Sequence, residues 1–141
     1  RPLRDLLDSV ADVCGRLFHA HAGADLVDPW AARYDYGTVL GARPEGRDDA
    51  RGAFLARHLR SEGSADRAWA WMEAERLRLE AWSSCAWFFD SPDRIETQQV
   101  LTEARAALGR YAALTGTDAV AWFDAQVRVE GLLPTHTSRE A

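Results

Sequence analysis

Leu3, Leu6, Leu7, Val10, Val13, Cys14, Leu17 and Phe18 recur at three- and four-residue spacing, which draws one apolar stripe along an amphipathic α-helix. A chain that opens this way must cover that stripe with other apolar faces, and the rest of the sequence offers further helices to do it. Gly23, a residue able to take the left-handed conformation, is expected to end the first helix. Asp28-Pro29 opens the second, because Asp is a good N-cap and a proline at the first helical position loses no hydrogen bond. That helix carries Trp30, Ala31, Tyr34 and Val39-Leu40 until the run from Gly41 to Gly46 breaks it. A third, from about Asp48 to Leu59, presents Phe54, Leu55 and Leu59. Ser64 is placed to cap the longest helix, about 65–89. Ser91-Pro92 repeats the cap-then-proline signature and predicts a helix over about Asp93 to Leu114, and Thr117 or Asp118 caps a last one ending near Gly131. No alternating apolar/polar run and no Asn-Gly or Asp-Gly hairpin signal occurs. The expectation is an all-α fold: a bundle of about six helices around one long central helix, with no sheet. Residues 1–131 then form a single helical domain and 132–141 a flexible polar tail.

Bulk properties narrow the function classes. The 141 residues make one domain's worth of chain, and 47% hydrophobic with 28% charged residues is ordinary for a folded protein. A net charge of −5 argues against a general nucleic-acid binder, which needs a basic face to displace counterions. No apolar run reaches the roughly 18 residues that a membrane span requires, and RPLRDLLDSV lacks the apolar core of a secretion signal. Cys14 and Cys85 lie far apart, so free thiols in a reducing cytoplasm are expected rather than a disulfide framework. The chain opens on Arg1 rather than Met and reads as a segment of something longer.

The long helix carries two interleaved apolar lines. Trp69, Met72, Leu79 and Ala86 mark one; Trp71, Trp82, Cys85 and Phe89 mark the other, with Glu75 and Arg78 between them. Glu73, Arg76 and Glu80 are expected to face water, whereas Trp82 to Phe89 is apolar almost all round, as in a helix buried on every side. WSSCAWFFD, Trp82 to Asp90, is therefore either the dry centre of a core or a wall offered to a flat polar ligand. Catalytic patterns are weak. There is no Glu-x-x-His pair for a di-iron bundle, and His19 and His21 are two apart and so on different faces. No Gly-rich phosphate loop occurs, and neither a metal nor a cofactor is expected. A thiol among aromatic groups, as at Cys85, is inert.

LVDPWAARYDY (Leu26 to Tyr36), SSCAWFFD (Ser83 to Asp90) and IETQQVLTEARAAL (Ile95 to Leu108) occur in this order. Together they resemble the C-terminal helical region of glycoside hydrolase family 57-like proteins, in the subgroup with an uncharacterised C-terminal domain of the DUF3536 type. The resemblance is to an Asp-Pro-Trp-x-x-Arg helix, a long helix ending in Ser-Cys-Gly-Trp-Phe-Phe-Asp, and Gly-Ile-Glu-Thr opening the next. Three departures stand out. Ala86 replaces the Gly, Glu75 and Leu77 replace the Gln and His of a Gln-Arg-His stretch that keeps only Arg76, and Asp93-Arg94 replaces Ser-Gly before Ile95.

The resemblance implies an α-glucan-active enzyme whose β/α barrel carries both catalytic carboxylates, with the helical domain packed over the barrel and lining its substrate cleft. Neither barrel motif is present, so this chain is not expected to catalyse a reaction alone. By the same resemblance Trp87 is the sugar platform, with Ser84, Cys85, Asp90 and Glu96 as further substrate-binding residues. An indole packs on the apolar face of a sugar ring while Ser and Asp meet its hydroxyls. The partners implied are a catalytic barrel, of the same or another chain, and an α-glucan or oligosaccharide. Without the barrel, an exposed apolar face would promote self-association. The alternative is a stand-alone helical protein-interaction module derived from that domain, without catalytic activity.

Overall fold

Two helices of this chain begin where a side chain meets the free backbone N–H groups of the first turn. The computed structural model describes residues 2–82 and 92–134. In it six α-helices follow one another: α1 (Pro2–His21), α2 (Pro29–Leu40), α3 (Arg47–His58), α4 (Ala65–Trp82), α5 (Ile95–Thr115) and α6 (Ala119–Val129). Asp28 Oδ1 accepts the Ala31 N–H at 3.2 Å to start α2 behind Pro29, and Ser64 Oγ accepts the Arg67 N–H at 3.2 Å to start α4. No strand forms among the described residues; the all-α expectation holds, and the nearest thing to a sheet is one isolated antiparallel bridge between Leu26 and Leu59.

The stripe read from α1 is the floor of the core. Leu3, Leu6, Leu7, Val10, Cys14 and Phe18 are buried, with Val13 and Leu17 packed at its edge. Above it α4 and α5 make the most extensive pairing, α1 lies against both, and α6 packs on α5 and α1. On α5 the buried positions Thr97, Val100, Leu101, Ala104, Ala107, Leu108 and Tyr111 keep the three-four rhythm. Trp71 is fully buried, edge-on to Phe18 at 5.8 Å and to Tyr111 at 6.0 Å between ring centroids. Trp30, after Pro29, stands edge-on to Phe18 at 4.9 Å and anchors α2 to α1.

The hairpin of α2 and α3 is closed at its base. Val27 N–H bonds to His58 O at 2.9 Å and Arg60 N–H to Asp25 O at 2.8 Å. Buried Asp25 then accepts from Ser64 N, Arg67 Nε and the Trp71 indole Nε1, at 3.1, 3.1 and 3.2 Å. Gly63 passes so close that a Cβ there would sit 2.6 Å from Asp25 O and 2.8 Å from Asp25 Cα. Backbone cannot yield as a side-chain tip does, so Gly63→Ala should lower stability by about 1–3 kcal/mol. A denaturation midpoint within error of wild type would refute that close approach.

Several boundaries differ from the sequence reading. Gly23 does not end α1 in the left-handed region; the chain passes into a 3-10 turn over Ala22–Ala24, and positive φ occurs only at Gly116 and Gly131 among the described residues. Helix α5 starts at Ile95, with Pro92 in the turn before it, and Gly116 at φ 71° closes it. Asp118 stands at the N-cap of α6 without a side-chain capping bond. The end of α6 is a Schellman motif: Gly131 N–H bonds to Arg128 O at 3.2 Å and Leu132 N–H to Val127 O at 2.9 Å. The residue after the left-handed glycine typically packs back on the helix, and Leu132 is 1% exposed; it belongs to the core rather than to the tail. The expected continuation of the long helix past Trp82 lies outside the described residues.

Candidate functional site

Arg33, Tyr36-Gly37 and Leu40 recur on one face of α2, and Met72, Glu75-Arg76 and Leu79-Glu80 on one face of α4. Between these two faces lies an open cleft of about 540 Å³, with Tyr34 at its rim. That volume falls in the range of small-molecule sites. Gly37 leaves room: nothing lies within 4 Å of where its Cβ would stand.

The floor of the cleft is a buried carboxylate. Glu75 is 2% exposed, and its Oε1 lies 2.7 Å from Arg33 Nε and 2.8 Å from Arg78 Nη2, while Oε2 accepts the Tyr111 hydroxyl. Arg33 Nε is close to the carboxylate, but its N–H is not directed at it: the contact is ionic, and this buried N–H has no acceptor among the described residues. Burial pulls the Arg78 pKa down, but the bond to Glu75 and its charge outweigh that, and the net shift is upward. Burial and then the Glu75 charge push the Tyr111 phenol far up, so it stays protonated and donating. Nearby Cys14 is pushed up to about 12 by burial and remains an inert thiol.

The wall of the cleft is a second, half-exposed cluster. Glu73 accepts from Arg76 at 2.8 and 3.1 Å and from the Tyr36 hydroxyl at 2.5 Å, and Arg76 also pairs with Glu80. The hydrogen bond from Arg76 holds Glu73 below the usual carboxylate range against the opposing effect of burial. Burial, followed by the bond to Glu73, raises Tyr36 to about 12. Outside the cleft, Asp35 is held to Arg57 at 2.7 and 3.0 Å and to His58 Nε2 at 2.7 Å, a clamp between α2 and α3. Every carboxylate at the cleft is thus committed to an arginine, and none is poised as a free general base. Among the described residues no group of three or more His, Cys, Asp and Glu could hold a metal.

Of the residues picked from sequence, Ser84, Cys85, Trp87 and Asp90 lie outside the described residues. Glu96 sits in the first turn of α5, half exposed and 3.5 Å from Arg94 Nε, and does not line the cleft. Glu75, which the helical periodicity interleaves with an apolar line, is the buried centre of the polar network. Leu79, placed by the same periodicity on an apolar line, is instead 48% exposed at the cleft. Sequence reasoning missed Arg33 and Glu75 as site residues. The available signals were the Arg three places after Trp30 and the Glu75/Arg78 pair set among aromatic positions.

The structure defines a class: a small all-helical domain with a charged cleft over a buried carboxylate. Residues 1–128 match the sequence profile of the family described as a domain of unknown function, DUF3536, and the chain belongs to that family. No curated protein and no solved structure matches the chain significantly. Among the described residues no helix is long and apolar enough to cross a membrane.

Proposed function

We propose that this chain is the accessory helical domain of a family 57-like α-glucan-active glycoside hydrolase or transferase, packing on a β/α barrel and helping to line its substrate cleft. The observation that carries this reading is the open cleft between α2 and α4. The charges that line it cancel in sum, with Arg33 and Arg76 against Glu75 and Glu80. Such a surface suits a neutral, many-hydroxyl ligand, whose hydroxyls both donate and accept. Tyr34, 80% exposed at the rim, offers a ring for the apolar face of a sugar. Trp87 keeps the platform role that the resemblance implies, and cytoplasmic location and action without nucleic acid belong to the same reading.

Titration with maltooligosaccharide, followed by calorimetry and Trp fluorescence, tests it. Wild type should saturate, and Tyr34→Ala and Trp87→Ala should each weaken binding by roughly threefold to tenfold, the worth of one ring contact. A wild-type protein silent to millimolar sugar would count against the glucan reading.

One observation favours the second reading, a protein-interaction module without catalytic activity: Tyr34, Leu40 and Leu79, all exposed, gather at this same cleft. Under that reading, sugar titration is silent and the patch is covered by another protein surface, a second copy included.

A further inference from the structure

Arg33 is held in an unusual way for a four-fifths buried arginine. Its guanidinium lies 5.5 Å from the Trp30 ring centroid and 6.0 Å from that of Tyr34, with Glu75 Oε1 2.7 Å from Nε. Those neighbours surround the group, yet its Nε–H makes no hydrogen bond to a described residue. Arginine has five such donors in a rigid fork, and this fork lines a cleft large enough for a ligand. A buried donor without an acceptor is costly, which marks Arg33 as the cleft residue with hydrogen-bonding capacity to spare.

The charges around it select the ligand. Glu75 is shared by two cations, Arg33 and Arg78, leaving one positive charge in excess at this end of the cleft. At the other end Arg76 is shared by two carboxylates, Glu73 and Glu80, leaving one negative charge in excess. We propose that the cleft between α2 and α4 is a binding site for a small hydroxylated monocarboxylate, a sugar-acid-like molecule, whose carboxylate is held by the Arg33 fork. A planar carboxylate matches the fork bidentately. Its hydroxyls donate to the acceptor-rich end, where Glu80 is half exposed. A phosphate dianion fits worse, because its second charge meets Glu75 and Glu80 in a partly desolvated cleft. This inference stands apart from the glucan reading, since neutral maltooligosaccharides and acidic sugars are tested separately.

The test is calorimetric titration of the chain with glucuronate, glucose and inorganic phosphate at neutral pH. Glucuronate should saturate one site, with glucose and phosphate each at least about tenfold weaker. Arg33→Lys keeps the charge beside Glu75, and hence the fold, but removes the planar fork; it should weaken glucuronate at least about tenfold. Circular dichroism checks that this variant is folded. Glucose binding as tightly as glucuronate, phosphate binding more tightly, or Arg33→Lys leaving glucuronate unchanged would each overturn the proposal. So would the absence of any saturable glucuronate binding. In that case a maltooligosaccharide response would still leave the glucan reading standing.

Discussion

Glu75→Ala should destabilise the bundle by about 3–5 kcal/mol. The reason is not the loss of a favourable pair but what stays behind. Arg78, 14% exposed, and Arg33, 20% exposed, would keep their charges without a counter-ion, and the buried Tyr111 hydroxyl would lose its acceptor. In a domain of this size that is a fall in melting temperature of roughly 10 °C or more. The mechanism is separable from simple loss of packing. Removing the charges together, with Glu75→Leu, Arg33→Leu and Arg78→Leu plus Tyr111→Phe, should recover most of the lost stability, because an apolar replacement leaves no orphaned charge. A quadruple variant as unstable as Glu75→Ala would show that packing, not electrostatics, sets the loss.

Trp71→Ala should lose about 3–5 kcal/mol, the usual range for deleting a buried large aromatic side chain. Trp71 joins three elements: it meets Phe18 of α1 and Tyr111 of α5 edge-on, and its indole N–H bonds to Asp25 at the base of the hairpin. Trp71→Phe isolates the polar part. It keeps much of the ring but removes one of the three donors to buried Asp25, so about 1–2 kcal/mol is expected. Urea denaturation with both variants reads the difference. Equal losses from Ala and Phe would mean that the bond to Asp25, not the ring, holds this junction.

How far the sequence shows these features depends on how local each interaction is. The α1 stripe, the Asp28-Pro29 start and the Ser64 cap are legible because each rests on residues within a turn or two of one another. Gly23 misled because glycine permits a left-handed cap without requiring one, and the chain instead tightened into a 3-10 turn. Pro92 misled likewise: a proline tolerated at a helix start was placed in the turn before it. Glu75 was illegible for a different reason. A charged residue on an apolar line can be buried only if its partners arrive from elsewhere, and Tyr111 and Arg33 lie 36 positions after it and on α2 before it. Arg33 was visible as part of a motif, but periodicity says nothing about a missing acceptor. Burial of Leu132 follows from a backbone motif set by Gly131, which a polar-looking C-terminal stretch conceals.

The closed base of the α2–α3 hairpin has an evolutionary consequence. Because the chain leaves at Leu26 and returns at Leu59 beside itself, everything between is an excursion whose ends already meet. Lengthening such a loop adds little closure entropy. The excursion can therefore change in length at small closure cost, so long as its buried residues keep their places in the core. Substitution at its exposed positions, Tyr34 and Leu40 among them, can reshape one wall of the cleft without touching the pairing of α4 with α5 that carries the fold.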